Sequence, residues 1–394
     1  MKNYLYPANI LLPKSDFYKW AVIACDQYTS DPEYWKDVEN IVGDAPSTLN
    51  MVLPEIYLAE TDERIKSINA TMKEYLDTDK FSLAENAMIY LERKLCQGGK
   101  RRGLVGVIDL ETYDYRKGTK ALIRATEETV AERIPPRVKI RKDAPIEFPH
   151  VLLFIDDPKD TVLGGLEEKK SLLNKAYDFD LMKNSGHIEG YFVDSSDFDN
   201  INAKLESLIK DGLLFAVGDG NHSLATAKEC YAINGTENSR YALVEIVNIH
   251  EADIEFEPIY RVLFNVEKDE LLSSMKTYLT ECEKNDGHTF EIVSENESFD
   301  ISFKPISKLP VGTLQTFLDD YLKTHKEVEI DYIHGIDATK KLCEKPNTVG
   351  FIFDGMRKDE LFDAVIQDGS LPRKTFSMGH ADDKRFYIEG RKIK

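Results

Sequence analysis

The stretch Leu213-Leu214-Phe215-Ala216-Val217-Gly218-Asp219-Gly220-Asn221-His222-Ser223 decides how this chain is read. Leu213 to Val217 is a fully apolar run with the length and composition of a buried strand. Gly218 to His222 forms a tight polar loop, and Ser223 to Ile233 reads as a helix. That order puts a helix N-terminus at the loop, where the first N–H groups lack intrahelical partners and favour an anion. Such a terminus contributes about 0.3–1 kcal/mol at an exposed site. Gly218 and Gly220 permit unusual dihedrals and let a ligand approach the backbone. Around them stand a carboxylate (Asp219), an amide (Asn221), an imidazole (His222) and a hydroxyl (Ser223). Asp219 can bind a metal or take a proton, and His222 can donate to a phosphoryl oxygen. An ordinary tight turn, with Asp and Asn chosen for their backbone hydrogen bonds, accounts for the same residues. The pattern GxxxxGK[ST] is absent, so this is not a Walker loop.

Outward from this segment, short apolar strands alternate with amphipathic helices. Ile201, Leu205, Leu208 and Ile209 mark a helix that Asp211-Gly212 ends, and Tyr241 to Ile249 is a further strand. Leu104 to Leu110 and Val151 to Ile155 are strand-like, while Ile65, Ile68, Met72, Tyr75 and Leu76 share one face of a helix over 61–77. Ser30-Asp31-Pro32-Glu33 reads as a helix start with Ser30 as the cap. After Phe264 the pattern restarts, with helices around Leu271–Leu279, Leu314–Leu322 and Glu360–Ile366 and a strand at Val349–Phe353. The expected class is α/β, with α+β as the variant, in three parts: an N-terminal α/β segment over 1–100, a central core over 101–265 and a C-terminal α/β domain over 266–394.

Composition narrows the function. Seventy acidic against fifty-one basic residues give a formal net charge of −19, which repels phosphate backbones and argues against nucleic acid as a partner. No apolar run approaches the roughly twenty residues that span a bilayer, and Met1 to Pro7 lacks a signal-peptide pattern, so a soluble protein in the cytoplasm is expected. The five cysteines, Cys25, Cys96, Cys230, Cys282 and Cys343, form no CxxC pair and read as small buried hydrophobes or idle thiols. Basic residues do converge locally at Arg133, Arg137, Lys139 and Arg141, which suits a small anionic metabolite.

Two further segments carry candidate ligands. Arg124-Ala125-Thr126-Glu127-Glu128-Thr129 is followed by Arg133-Ile134-Pro135-Pro136-Arg137, where Arg133 and Arg137 flank a rigid Pro-Pro corner. Arginine forks bind phosphate and carboxylate bidentately, although an Arg124–Glu128 pair on a solvated helix face explains part of the pattern equally. Arg373-Lys374-Thr375-Phe376-Ser377-Met378-Gly379 can wrap an anion or be an exposed basic loop. His150 and His334 read as structural, and no HExxH or paired-His spacing indicates zinc.

In this order, Arg124-Ala-Thr-Glu127, Ile134-Pro-Pro-Arg137-Val-Lys-Ile-Arg141, Gly218-Asp-Gly-Asn-His222 and Arg373-Lys-Thr-Phe-Ser-Met-Gly379 resemble the bacterial domain-of-unknown-function family 1015. Much of that family carries an Asp-Gly-His-His-Arg core, which is similar to the signature of the ParB/sulfiredoxin-like fold and its free-serine kinases. Here Asn221 stands for the first His and Ser223 for the Arg. Sulfiredoxin chemistry is disfavoured, because Cys230 lies a helix away from the loop. The resemblance implies a ParB/sulfiredoxin-like mixed core and a nucleotide-dependent phosphotransferase acting on serine, phosphoserine or a similar small metabolite, with ATP or ADP and Mg²⁺. On that reading Asp219 holds metal or orients the hydroxyl, Glu127 is the general base, and His222 and Asn221 stabilise the transferring phosphoryl group. Gly218, Gly220 and Ser223 bind phosphates, with Arg124, Arg137, Arg141 and Lys374 supplying charge. The alternatives are a phosphoserine-type phosphatase and a non-catalytic nucleotide-binding regulator. Homo-oligomerisation is left open.

Overall fold

The computed structural model describes residues 2–129, 131–295 and 297–394. The chain divides into two compact units, Met1–Ala125, Thr129–Ile254 and Gly379–Lys394 in the first, Thr126–Glu128 and Glu255–Met378 in the second. Both mix helices and strands, so the class is α/β.

The first unit is built on a nine-stranded mixed sheet. Its strands run, side by side, Asn174–Asp180, His187–Phe192, Ile89–Lys94, Lys100–Asp109, Tyr241–Asn248, Leu152–Ile155, Phe215–Asp219, Ile123–Ala125 and Tyr113–Asp114. The expected break near residue 100 falls inside this sheet, because Ile89–Lys94 and Lys100–Asp109 pair as an antiparallel hairpin. Alternation explains why these strands read as continuous apolar runs: both faces are covered. Ile89, Leu91, Val105, Val107 and Leu243 enter one buried cluster, and Tyr90, Leu104, Ile108, Val244 and Ile246 enter another.

Helix Pro32–Val42 packs Tyr34, Trp35 and Val38 inward, and its cap is Asp31, one residue after the expected Ser30. Asp31 Oδ1 accepts the Tyr34 N–H at 3.1 Å, and Pro32 occupies the first turn, where a missing N–H costs nothing. Helix Thr61–Asp77 buries Ile68, Met72 and Tyr75, the face that the sequence spacing selects. The C-terminal tail is woven into this unit: Phe386–Tyr387 pairs with Val22–Ile23, and Arg391–Lys392 pairs with Ile146–Glu147.

The second unit holds a six-stranded sheet. Four antiparallel pairings order its main strands as Glu297–Phe303, His288–Ser294, Thr348–Phe353, Phe256–Phe264 and Glu329–His334. Phe376–Met378 adds to the start of Phe256–Phe264. Its main helices, Lys268–Tyr278, Pro310–Thr324 and Leu361–Asp368, lie where the apolar spacing puts them. Among the described residues, no helix is long and apolar enough to cross a membrane.

Candidate functional site

Strand Phe215–Asp219 lies between Leu152–Ile155, antiparallel, and Ile123–Ala125, parallel. Ala216 pairs with Phe154 and Val217 with Leu153, but the next residue to pair, with Leu152, is Asp219. Gly218 is therefore the extra residue of a β-bulge, a device that re-aims the side chain after it. A Cβ on Gly218 would lie 2.4 Å from the Phe154 ring, so its missing side chain makes room for packing. Gly220 has φ +82° and caps helix Asn221–Asn234 in the left-handed region. The loop expected over 218–222 thus contracts to one residue: Gly218 and Asp219 belong to the strand, and Asn221 and His222 to the helix.

The cap residue, Gly220, has no side chain to offer this helix, and the Leu224 N–H donates to Gly220 O at 2.9 Å. The amides of Asn221, His222 and Ser223 precede that bond at the positive end of the dipole. Asp219 stands beside them. Its Oδ1 accepts the Gly220 N–H at 2.8 Å, and its Oδ2 lies 3.4 Å from Lys384 Nζ.

Lys384 is held by a buried scaffold. Its neighbour Arg385 donates to Glu245 and Glu389, both at 2.8 Å, and Arg93 and Arg101 both donate to the Asp383 carbonyl, at 3.0 and 2.9 Å. Lys384 also acts on Asp26, which follows the apolar run Ala21–Ala24. Burial would raise the Asp26 carboxyl, but facing His150, the Gln27 amide and Lys384 together hold it below the ordinary carboxylate range. Its Oδ2 is 3.8 Å from His150 Nε2.

His150 is buried and central. Tyr387 OH accepts the Cys25 N–H at 3.1 Å and lies 2.9 Å from His150 Nδ1, so its proton is available to that nitrogen. Its Nε2 faces Asp26 and lies 3.4 Å from Ser223 Oγ. These contacts put His150, which the sequence reads most simply as structural, beside Asp26 and Ser223. Burial pushes His222 down to about 4, with Arg137 and Arg133 adding to the effect and Asp26 opposing it. His222 is therefore neutral at pH 7 in a field that two guanidinium groups make positive.

The arginines arrive on helix Ile134–Arg141, which packs against helix Asn221–Asn234. Pro135 and Pro136 open this helix instead of forming a corner, because first-turn residues need no N–H partner. Arg133, Arg137 and Arg141 therefore recur every four residues on one face. Arg137 pairs with Glu55 and donates to Arg133 O at 3.0 Å. Arg141 pairs with buried Glu147, which Arg391 also holds at 2.7 Å, so its charge is neutralised inside the unit. Arg124 is buried and donates to Ala121 O at 2.8 Å and Asp211 O at 3.2 Å. It ties loops together at the start of strand Phe215–Asp219, whereas the helix N-terminus lies at that strand's end.

Glu127 and Lys374 belong to the second unit. Glu127 bridges to Leu371, and the exposed Lys374, at φ +57°, offers its carbonyl to Arg261 at 2.9 Å. The first unit thus gathers Asp219, Asn221, His222, Ser223 and Arg137 from the sequence reading and adds Asp26, His150, Tyr387 and Lys384. Asp26 carries a sequence signal of its own, a carboxylate one residue after the apolar run Ala21–Ala24, as Asp219 stands one residue after Leu213–Val217. Lys384 carried none, since Asp382-Asp383-Lys384-Arg385 reads as a charged surface.

Several solved structures are distantly similar to this chain. A free serine kinase variant in complex with ADP matches 73% of this chain and 92% of its own at 13% identity, with a TM-score of 0.43. A conserved hypothetical protein from Pyrococcus furiosus matches 73% and 95% at 14% identity, with a TM-score of 0.40. SbnI from Staphylococcus aureus matches 70% and 82% at 10% identity, with a TM-score of 0.37. Likenesses this distant assign no activity to the chain. No curated protein matches it. The model of the family described as "Protein of unknown function (DUF1015)" matches residues 5–321, and with most of its length inside that match the chain belongs to this family.

Proposed function

We propose that the protein is a nucleotide-dependent phosphotransferase acting on serine, phosphoserine or a similar small hydroxyl-bearing metabolite. The observation that carries the reading is the glycine-capped N-terminus of helix Asn221–Asn234 with Asp219 and Lys384, 3.4 Å apart, beside it. Phosphoryl transfer is mainly positioning and charge stabilisation, and this arrangement supplies both. The amides of 221–223 and the Ser223 hydroxyl receive phosphate oxygens, and neutral His222 donates a hydrogen bond. Arg137 and Lys384 offset the phosphate charge.

In the transfer, the acceptor hydroxyl oxygen forms a bond to phosphorus as the bond to the nucleotide's bridging oxygen breaks. The nucleotide leaves with that electron pair, and the hydroxyl proton passes to a carboxylate. Within the first unit Asp26 suits that role, being ionised beside His150. Asp219 fits Mg²⁺ of the kind that takes one or two carboxylates plus substrate phosphates. Such an ion, held by Asp219, would offset charge on the phosphates.

The test follows labelled phosphate between ATP or ADP and serine or phosphoserine. Exchange by the wild-type protein is expected, with Asp219→Asn losing about 10²–10⁴-fold and keeping its melting point. Comparing Asp26→Asn with Glu127→Gln identifies which carboxylate takes the proton. Wild-type protein inert with both nucleotides and both acceptors would refute the proposal. Release of inorganic phosphate from phosphoserine without nucleotide would favour the phosphatase alternative, and binding without turnover the regulatory one.

A further inference from the structure

A cavity of about 150 Å³ adjoins this site within the first unit. Hydrocarbon dominates its lining, with Met51, Leu53, Ile68, Met72, Ile140 and Leu224 among the walls. Its polar groups are mostly engaged, some with one another and some with residues outside the lining. Arg141 and Glu147 pair together, Arg137 pairs with Glu55, Tyr387 is bonded to His150, and Thr226 Oγ1 donates to the His222 carbonyl at 2.7 Å. The Ser223 hydroxyl, 3.4 Å from His150 Nε2, is held more loosely. Ser223 also belongs to the first turn of helix Asn221–Asn234, so one residue lines both the cavity and the helix N-terminus.

An apolar cavity of about 150 Å³ accommodates a benzene-sized group. A purine placed there would bury ring nitrogens and an amine without partners, each at a substantial penalty. Serine has no side-chain carbon beyond its hydroxymethyl group and would leave the cavity unfilled. We infer that this cavity receives a hydrocarbon group of the acceptor, a single aromatic ring or a branched chain of about four to six carbons, while its hydroxyl or phosphate end lies at Ser223 and the helix N-terminus. This deepens the phosphotransferase reading and rests on it for the position of the anionic end. Within that reading, a small alcohol or hydroxy acid with an apolar substituent is preferred over serine, which engages the anion site without filling the cavity.

Calorimetric titration with inorganic phosphate, O-phosphoserine and phenyl phosphate tests the assignment, with benzyl alcohol as an uncharged probe. Phenyl phosphate is expected to bind at least tenfold more tightly than the other two phosphates. Benzyl alcohol is expected to raise the melting temperature. Ala227→Leu fills the cavity and should remove the phenyl preference while leaving inorganic phosphate binding unchanged. Ala144→Leu, on another part of the lining, serves if Ala227→Leu does not fold. Equal affinity for all three phosphates, or a phenyl preference that survives both fillings, overturns the cavity assignment and leaves the anion site standing. Loss of all phosphate binding with benzyl alcohol still bound overturns the anion site instead. No binding of any probe overturns both.

Discussion

His222 is neutral because burial and the neighbouring guanidinium groups of Arg137 and Arg133 oppose its protonation, bringing it to about 4. An unfolded histidine titrates near 6.5. Between these values the unfolded chain binds more protons than the folded one, so stability rises with pH through that window. The contribution is complete above about pH 6.5 and is lost as pH falls through about 4. Melting curves from pH 4 to 7 are expected to show this slope, and His222→Gln to flatten it. Arg137→Gln should move the His222 titration upward, a shift visible in the ring proton resonances. Cys25 shows burial acting on a thiol: its thiol is pushed up to about 12 by burial, with the Asp26 charge adding to the effect. It should therefore resist alkylation at pH 8 in the folded protein and react promptly in denaturant.

At the scale of elements, strand Phe215–Asp219 and helix Asn221–Asn234 were legible because an apolar run and a helical pattern meet at glycines. The glycines' separate jobs were not legible, since a bulge depends on the partner strand's register and Phe154 is distant in sequence. Gly218→Ala is expected to cost about 1–3 kcal/mol through overpacking, read by denaturant unfolding. Phe154→Leu combined with it should recover part of that loss in a double-mutant cycle. Arg124 was misread for a related reason. A sequence shows an arginine beside a motif but not the carbonyls of Ala121 and Asp211 that take its donors. Strand Phe256–Phe264 was missed at a boundary because Glu257 and Pro258 break its apolar pattern.

Across the whole chain, the C-terminal tail matters to the first unit beyond its length. Residues 379–394 join that unit, pair with Val22–Ile23 and Ile146–Glu147, and bring Lys384 to Asp219. Their anchor is Arg385, buried between Glu245 and Glu389. Arg385→Met leaves buried Glu389 without a cation and Glu245 with only Arg101 at 3.5 Å, and is expected to destabilise the protein by about 3–5 kcal/mol in denaturant unfolding. This long-range arrangement explains why the site was only half legible. Asp219, His222 and Ser223 follow one another along the chain, whereas Asp26, His150 and Lys384 reach them only through the sheet.

An anion at the start of helix Asn221–Asn234 is central to the proposed chemistry, and the titration of the His222 ring with and without ADP tests it most directly. A bound phosphate beside the imidazole favours its charged form, so ADP should raise His222 from about 4 toward or above its ordinary value. A His222 titration unchanged at saturating ADP would contradict the assignment of this helix terminus as the phosphate site.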